Sequence, residues 1–269
     1  MGSMESDIAT LGLLDDEEIE LDNAALLLSE LDHDGIALEP YYAMLDDIGD
    51  RLAAFDMADT PAEQGEALAQ VFFDEFGFTG DADSYDAPLN ADLIRVLDRK
   101  RGLPVSLSLL YVAAARRMGW TAHATDTPGH VLVRLGDGPP YLIDPFHDGE
   151  PVPGDRLAAL LEGALGPGGK PGPQHVAPMS NRATLVRLLL NQATRAERGG
   201  DALRALALYE RMTAVAPDHA DAWWELARLQ LQLQNVDAAR GSLSAMLEVT
   251  RDPKKRELIT TTLRAIAES

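Results

Sequence analysis

The chain has 269 residues and no cysteine, and its formal charge is −21 because 44 Asp and Glu outnumber 23 Lys and Arg. The lack of cysteine excludes disulfides, thiolate catalysis and thiolate metal sites. No run of about 20 apolar residues is present, so we expect no membrane-spanning helix. The acidic balance disfavours nucleic acid and anionic membranes as partners.

The length suits two domains of ordinary size. Only Arg51 and Arg95 are basic before Asp98, which we interpret as a solvated acidic face rather than a docking surface for a basic partner. The N-terminus lacks a basic region followed by an apolar one, so we expect no secretory signal and predict a cytoplasmic protein.

The first 35 residues are predicted to form an acidic N-terminal arm. Within it, Asn23 can cap a helix over 23–31, and the polar residues 32–35 then break that helix. Apolar residues at helical spacing predict a second helix over 40–55. A capping-box helix start is indicated by Thr60, Pro61 and Glu63. The third helix predicted from this start ends at Gly77.

The next stretch contains an acidic loop over 80–86, whose aspartates do not match the calcium-loop spacing. Asn90 is predicted to cap a short helix, and Gly102 is predicted to end it. Pro104 suits the first turn of the following helix, which is apolar over 105–118.

Three strands are predicted after that helix, over 121–125, 130–135 and 141–143. The later two are joined by a Gly- and Pro-rich turn, which indicates an antiparallel hairpin. A helix over 155–165 follows. Residues 166–178 are rich in Gly and Pro and are predicted to be a linker.

Beyond Asn181 the chain repeats itself with a period of about 34 residues, the tetratricopeptide spacing. This periodicity predicts helices over 185–197, 202–215, 220–233 and 236–249, with a closing helix over 254–267. Small residues at matched positions allow the close helix contacts that such arrays need. The matched positions are Ala193 with Ala227, Ala205 with Ala239, Tyr209 with Leu243, Met212 with Met246 and Val215 with Val249.

Four short motifs carry a resemblance to a known family: Leu89-Asn90, Arg101 to Leu107 (Arg-Gly-Leu-Pro-Val-Ser-Leu), Pro128 to His130 and Ile143 to Phe146. With the repeats, they resemble the bacterial SirB-type family, which joins a transglutaminase-like core to tetratricopeptide repeats. The resemblance implies an α+β fold with a small antiparallel sheet in a papain-like core. The predicted linker separates a predicted core domain over 36–165 from a predicted repeat domain over 179–269.

Comparison with the wider thiol-enzyme superfamily implies three catalytic positions. The nucleophile of that superfamily lies about fifteen residues before the glycine that ends its helix, and counting back from Gly119 reaches Pro104. His130 then resembles the base and Asp144 resembles the residue that orients it. Two positions are retained, and the first has no nucleophilic atom.

Ser106 offers an alternative nucleophile, since it lies in the first turn of the same helix and its hydroxyl could be activated by His130. The structural interpretation is that its hydroxyl bonds to backbone instead. A shift of two helical residues rotates a side chain by about 200°, which favours the structural interpretation. Ser108 is a weaker candidate for the same reason.

Further candidate ligand-binding residues are Arg99 and Arg101, which could hold a carboxylate or phosphate near a helix start, and Trp223 and Trp224 in the repeats. No pair of histidines has metal-ligand spacing, so no metal site is predicted. His147 is close to Asp144 in sequence, but a strand at that spacing would point the two side chains apart. No cofactor is predicted.

The leading functional hypothesis is a non-catalytic module that recognises a protein or peptide through the repeats. The alternative is an amide or ester hydrolase that uses Ser106, His130 and Asp144. It requires Ser106 Oγ to lie within hydrogen-bond reach of His130. A third hypothesis is a purely structural adaptor.

Overall fold

The computed structural model describes residues 2–166 and 169–267 and divides the chain into two compact units. The core unit is Asp16–Thr184, and the repeat unit combines the residues up to Asp15 with the chain from Leu185 onward. This division differs from the predicted boundaries, because the predicted N-terminal arm is shared between the two units. Pro167 and Gly168 of the predicted linker lie outside the described residues.

The core unit contains six α-helices among its described residues. Thr60 caps α4 in the predicted capping box, with Thr60 Oγ1 accepting from Glu63 N and Glu63 Oε2 accepting from Thr60 N. The α4 helix continues as a short π-helix over Gln70–Glu75. The α-helices are α2 (Leu21–Glu30), α3 (Glu39–Leu52), α4 (Pro61–Ala69), α5 (Leu93–Arg99), α6 (Pro104–Arg117) and α7 (Gly154–Leu165).

Two predicted helix caps and one predicted helix end are wrong. The α2 helix starts after Glu20, so Asn23 lies inside it. Asp92 caps α5 by accepting from Arg95 N, while Asn90 is fully buried one turn earlier. Lys100, at φ 56°, ends α5 in the left-handed region, a role that the sequence had suggested for Gly102.

Two small sheets flank the helices. In the first, β1 (Thr79–Gly80) pairs in parallel with β2 (Arg101–Gly102). The second is antiparallel in chain order: β3 (Ala122–Ala124), β4 (Val133–Leu135), β5 (Tyr141–Asp144) and β6 (Glu150–Pro151). The predicted hairpin is confirmed, with Val133 opposite Ile143.

His130 does not lie in a strand, contrary to the prediction. Gly129 has a φ of +73°, and the backbone N–H of His130 donates to Thr127 O at 3.0 Å. This turn at Pro128-Gly129 delays the start of β4 to Val133, so His130 is presented from a loop.

The α6 helix is the centre of the core unit. Every residue from Pro104 to Ala115 is buried, although ordinary helices in globular proteins bury one stripe. The helix packs against α2, β3 and the 3₁₀ turn Pro145–His147. It therefore packs against the turn that directly follows Asp144, the last residue of β5.

The repeat unit has the predicted helix pairs, with bounds within a few residues of the expected ones. Asp201 caps α9 and Asn235 caps α11, each through its side chain. The N-terminal α1 (Gly2–Leu13) also belongs to this unit and packs against α9. The helices after the linker are α8 (Asn181–Arg198), which belongs to this unit from Leu185 onward, α9 (Ala202–Val215), α10 (Ala220–Gln232), α11 (Val236–Val249) and α12 (Pro253–Ala267).

None of the helices in the described part of the chain is both long and apolar enough to span a membrane.

Candidate functional site

His130 and Asp144 form a direct pair. His130 Nε2 lies 2.8 Å from Asp144 Oδ1, and the two side chains are 12% and 0% exposed. A carboxylate accepts hydrogen bonds, so Nε2 carries the proton and Nδ1 is left as the acceptor in the neutral ring. The predicted pairing is confirmed, and it has the tautomer that a general base requires.

A second histidine also contacts Asp144, and the sequence argument missed it. His147 Nδ1 lies 2.7 Å from Asp144 Oδ2. The prediction that the two side chains point apart is wrong because β5 ends at Asp144 and Pro145 begins a 3₁₀ turn. Residues three apart in such a turn lie on one side. The Asp-Pro pair at the strand end was the sequence signal for this turn.

The surroundings of Asp144 favour its ionised form. Burial opposes ionisation, but the hydrogen bonds and charges of His130 and His147 outweigh it and lower the pKa of Asp144. Phe146 N also donates to Oδ1 at 3.1 Å. Arg156 Nη2 lies 3.5 Å from Oδ2 and Arg156 Nη1 lies 2.7 Å from Glu150 Oε2. The carboxylate is thus held by donors on both oxygens.

The serine hydroxyls near the start of α6 are directed to backbone. Ser106 is fully buried, and its Oγ donates to Asn90 O at 2.8 Å. Ser108 Oγ donates to Val131 O at 3.1 Å. Among the described residues, neither hydroxyl bonds to His130. The contact that the hydrolase hypothesis requires is absent from this part of the chain, and Pro104 occupies the first position of α6.

Asn90 connects this helix start to the predicted basic cluster. Its Nδ2 donates to Ser84 O at 2.7 Å, and its Oδ1 accepts from Arg99 Nη1 at 2.8 Å. Arg99 Nη2 also lies 2.6 Å from Oδ2 of the buried Asp81. The guanidinium of Arg99 therefore already has two partners within the protein, Asn90 and Asp81.

Arg101 also bonds to nearby backbone, since its Nη1 donates to Gly77 O at 3.1 Å. The side chain itself is exposed. The ligand-binding roles of Arg99 and Arg101 stay predictions, and internal partners account for the contacts of both side chains.

Comparison with known proteins places this architecture in a family. The model of the transglutaminase-like superfamily matches residues 39–190, more than half of the chain. The chain belongs to the transglutaminase-like superfamily. A tetratricopeptide-repeat model matches residues 193–264, which confirms the predicted order of a transglutaminase-like core followed by repeats.

The relatives of this transglutaminase-like protein include bacterial chains of similar length. A UPF0162 protein of Xylella fastidiosa is 27% identical over 89% of this chain and 87% of its own. A UPF0162 protein of Vibrio cholerae is 32% identical over 75% of each chain. The solved structure of menin overlaps 91% of this chain and 70% of its own, with a TM-score of 0.38 and 11% identity. A TM-score this low does not establish a shared fold.

The two tryptophans of the repeats pack on the core of that unit. Trp223 Nε1 donates to Pro217 O at 2.7 Å. Both rings lie against a cluster of buried residues formed by Ala227, Leu243, Met246 and Ile259. These contacts are structural, and a ligand role for either tryptophan stays a prediction.

A separate hollow of about 400 Å³ lies between α8, α9 and α10 of the transglutaminase-like protein's repeat unit. Its lining combines apolar side chains with carboxylates. Neither tryptophan lines it. The lining residues are Leu190, Thr194, Glu197, Tyr209, Met212, His219, Asp221, Ala222 and Glu225.

Proposed function

We propose that this transglutaminase-like protein is non-catalytic and recognises a protein or peptide through its tetratricopeptide repeats, in the cytoplasm. The observation that carries the proposal is the hydrogen bond from Ser106 Oγ to Asn90 O beside a proline at the start of α6. His130 and Asp144 retain the geometry of a base and its orienting group. A base without a nucleophile in reach cannot begin acyl transfer.

The repeats supply the recognition surface in this proposal. Stacked helix pairs form extended surfaces that bind other chains. The hollow between α8, α9 and α10 has the mixture of apolar and polar lining that suits a side chain of a bound segment. Recognition of this kind requires no cofactor.

The non-catalytic part is tested with a fluorophosphonate probe on the purified full-length protein. We expect no labelling of the wild type, because the proton of Ser106 is donated to Asn90 O. Labelling that Ser106→Ala abolishes would overturn this part and support the hydrolase alternative.

The recognition part is tested by comparing two threonine variants in a crosslinking capture experiment. Thr194 lines the hollow, and its hydroxyl donates to Leu190 O one turn earlier in its helix. Thr261 makes the matched hydroxyl bond to Glu257 O in α12 and does not line the hollow. A partner that the wild type captures should be lost with Thr194→Arg and retained with Thr261→Arg. Equal capture by both variants would contradict the assignment to this hollow.

A further inference from the structure

Asp144 contacts two histidines, whereas a base and its orienting group need only one. One histidine suffices for such a pair, yet His130 and His147 contact opposite oxygens of the same carboxylate, at 2.8 and 2.7 Å. The proposed function gives no role to His147. This second imidazole is therefore the feature that requires another explanation.

The three side chains offer a ligand set of two imidazole nitrogens and one carboxylate oxygen. One such atom from each of His130, Asp144 and His147 lies within 4.8 Å of the others. Zinc binds imidazole nitrogen and carboxylate oxygen at about 2.0–2.2 Å, so tetrahedral ligand atoms are separated by roughly 3.3 Å. The two N···O contacts, at 2.8 and 2.7 Å, are shorter than that value, and rotation of the side chains about their own bonds can lengthen them.

The local backbone already orients these ligands. Asp144 caps the turn Pro145–His147 by accepting from Phe146 N, which fixes its carboxylate relative to His147. The ring of Phe146 lies with its centroid 6.0 Å from that of His130 and 5.3 Å from that of His147. An apolar wall of this kind beside the ligands limits their alternative rotamers.

The cluster is open to solvent on one side and buried on the other. The side chain of His147 is 50% exposed, that of His130 is 12% exposed, and that of Asp144 is fully buried. An ion can therefore arrive from the His147 side and meet a preformed carboxylate.

One positive charge opposes an ion at this place. Arg156 Nη2 lies 3.5 Å from Asp144 Oδ2, a longer contact than the 2.7 Å between its Nη1 and Glu150 Oε2. Glu150 therefore holds the guanidinium more closely than Asp144 does. Removal of this charge should strengthen the binding of a cation. Removal of a ligand should weaken it, so the two kinds of variant are expected to change the affinity in opposite directions.

We propose that His130, Asp144 and His147 form a binding site for a divalent transition-metal ion of the zinc type. Two nitrogens and one oxygen are ligands that suit Zn²⁺, and three protein ligands leave coordination positions for water or a bound group. The ring nitrogens that now face the carboxylate would present their lone pairs to the ion, so the proton of each neutral imidazole moves to its other ring nitrogen when the ion binds. The site lies in the core unit and does not depend on the proposed recognition by the repeats.

The test uses full-length protein freed of metal with a chelator and then titrated with Zn²⁺ by calorimetry. A parallel titration with Co²⁺ is followed by its visible absorption, which reports the geometry of the ligands. We expect one ion per chain from the wild type. His147→Ala should weaken binding at least about tenfold, since this is the lower range for disturbing a metal site. His147 is half-exposed, so circular dichroism should show an intact fold.

Two further variants separate a metal site from adventitious histidine binding. His175→Ala removes a histidine of the core unit that is not part of the cluster and should leave the Zn²⁺ affinity unchanged. Arg156→Gln should make Zn²⁺ binding tighter, because it removes the positive charge beside Asp144. Absence of saturable Zn²⁺ binding by the wild type, or wild-type affinity in His147→Ala, would overturn the proposal. Partner capture by the repeats is measured separately, so failure of one proposal does not imply failure of the other.

Discussion

Tyr111 buries a hydroxyl without a hydrogen-bond partner among the described residues. Its ring stacks on Phe72 with centroids 4.2 Å apart, and burial raises its pKa. The aromatic ring therefore contributes to packing in the core, while the hydroxyl costs free energy because it loses its water.

Tyr111→Phe should raise the free energy of unfolding by about 1 kcal/mol, because it deletes an unpaired buried hydroxyl and keeps the ring. Denaturant unfolding measures this change. Tyr209→Phe is the matched control, since Tyr209 OH donates to Glu197 Oε1 at 2.6 Å and its loss should cost about 1 kcal/mol. Equal destabilisation by the two variants would show that Tyr111 has a partner.

Asp81 makes stability depend on pH at the acidic end. Its hydrogen bond from Arg99 outweighs burial and lowers its pKa below the ordinary 3.8. A carboxyl whose folded-state pKa is lowered stabilises the fold above its unfolded pKa, and this contribution is lost as pH falls through the folded value. Asp81→Asn should therefore destabilise the protein at pH 7, and the difference from wild type should shrink below about pH 4.

Thermal unfolding across that pH range measures the effect. Asp83→Asn in the same loop is the control, since Asp83 is exposed and should change stability little at any pH. A difference between Asp81→Asn and wild type that is constant with pH would contradict the argument.

At the scale of elements, the turn Pro145–His147 is positioned by β1. A Cβ on Gly80 would clash with the Phe146 carbonyl and ring, so only glycine allows this strand to lie against the turn. The ring of Phe146 in turn contacts Tyr85, with centroids 5.7 Å apart. The histidines around Asp144 thus depend on a close backbone contact with a distant part of the sequence.

Gly80→Ala should destabilise the protein by about 1–3 kcal/mol, because overpacking forces the turn away from β1. Denaturant unfolding again gives the value. Gly49→Ala in α3 meets open space and should be neutral or stabilising by up to about 1 kcal/mol, since alanine is the better helix former. A neutral Gly80→Ala would mean that the turn is not held by this contact.

Helices with regularly spaced apolar residues were predictable from the sequence. The positions of residues that depend on a single turn were not. The buried α6 and the helices of the repeats followed from apolar spacing and from the 34-residue period. The positions of His130 and His147 depended on turns at Gly129 and Pro145 that override the strand pattern. The resemblance to the thiol enzymes therefore predicted the His130–Asp144 pair, while the strand pattern concealed the contact of His147.

At the scale of the whole molecule, the sequence predicted the order of the parts better than their boundaries. Composition and periodicity describe local structure, whereas the assignment of α1 to the repeat unit depends on long-range packing. Ile8 and Leu11 are buried, and Gly12 lies against the backbone of Ala214 in α9. No local pattern in the first 15 residues identifies that partner.

We propose that the transglutaminase-like scaffold retains a base, His130, and its orienting group, Asp144, while Pro104 occupies the nucleophile position. The chain has no cysteine, so Pro104→Cys creates a single thiol whose alkylation by iodoacetamide is unambiguous. A thiol that faces a histidine is activated below the ordinary pKa of about 8.5. Pro253→Cys, at the exposed first position of α12, gives the reference pH profile for a thiol at a helix N-terminus, and the profiles are compared by their midpoints because Pro104 is buried.

The most direct measurement is the pH profile of alkylation of Pro104→Cys with and without His130→Ala. We expect the thiol of Pro104→Cys to react at a lower pH than that of Pro253→Cys, and His130→Ala to return the profile to the ordinary thiol range. A profile that His130→Ala leaves unchanged would contradict the claim that His130 serves the position of Pro104.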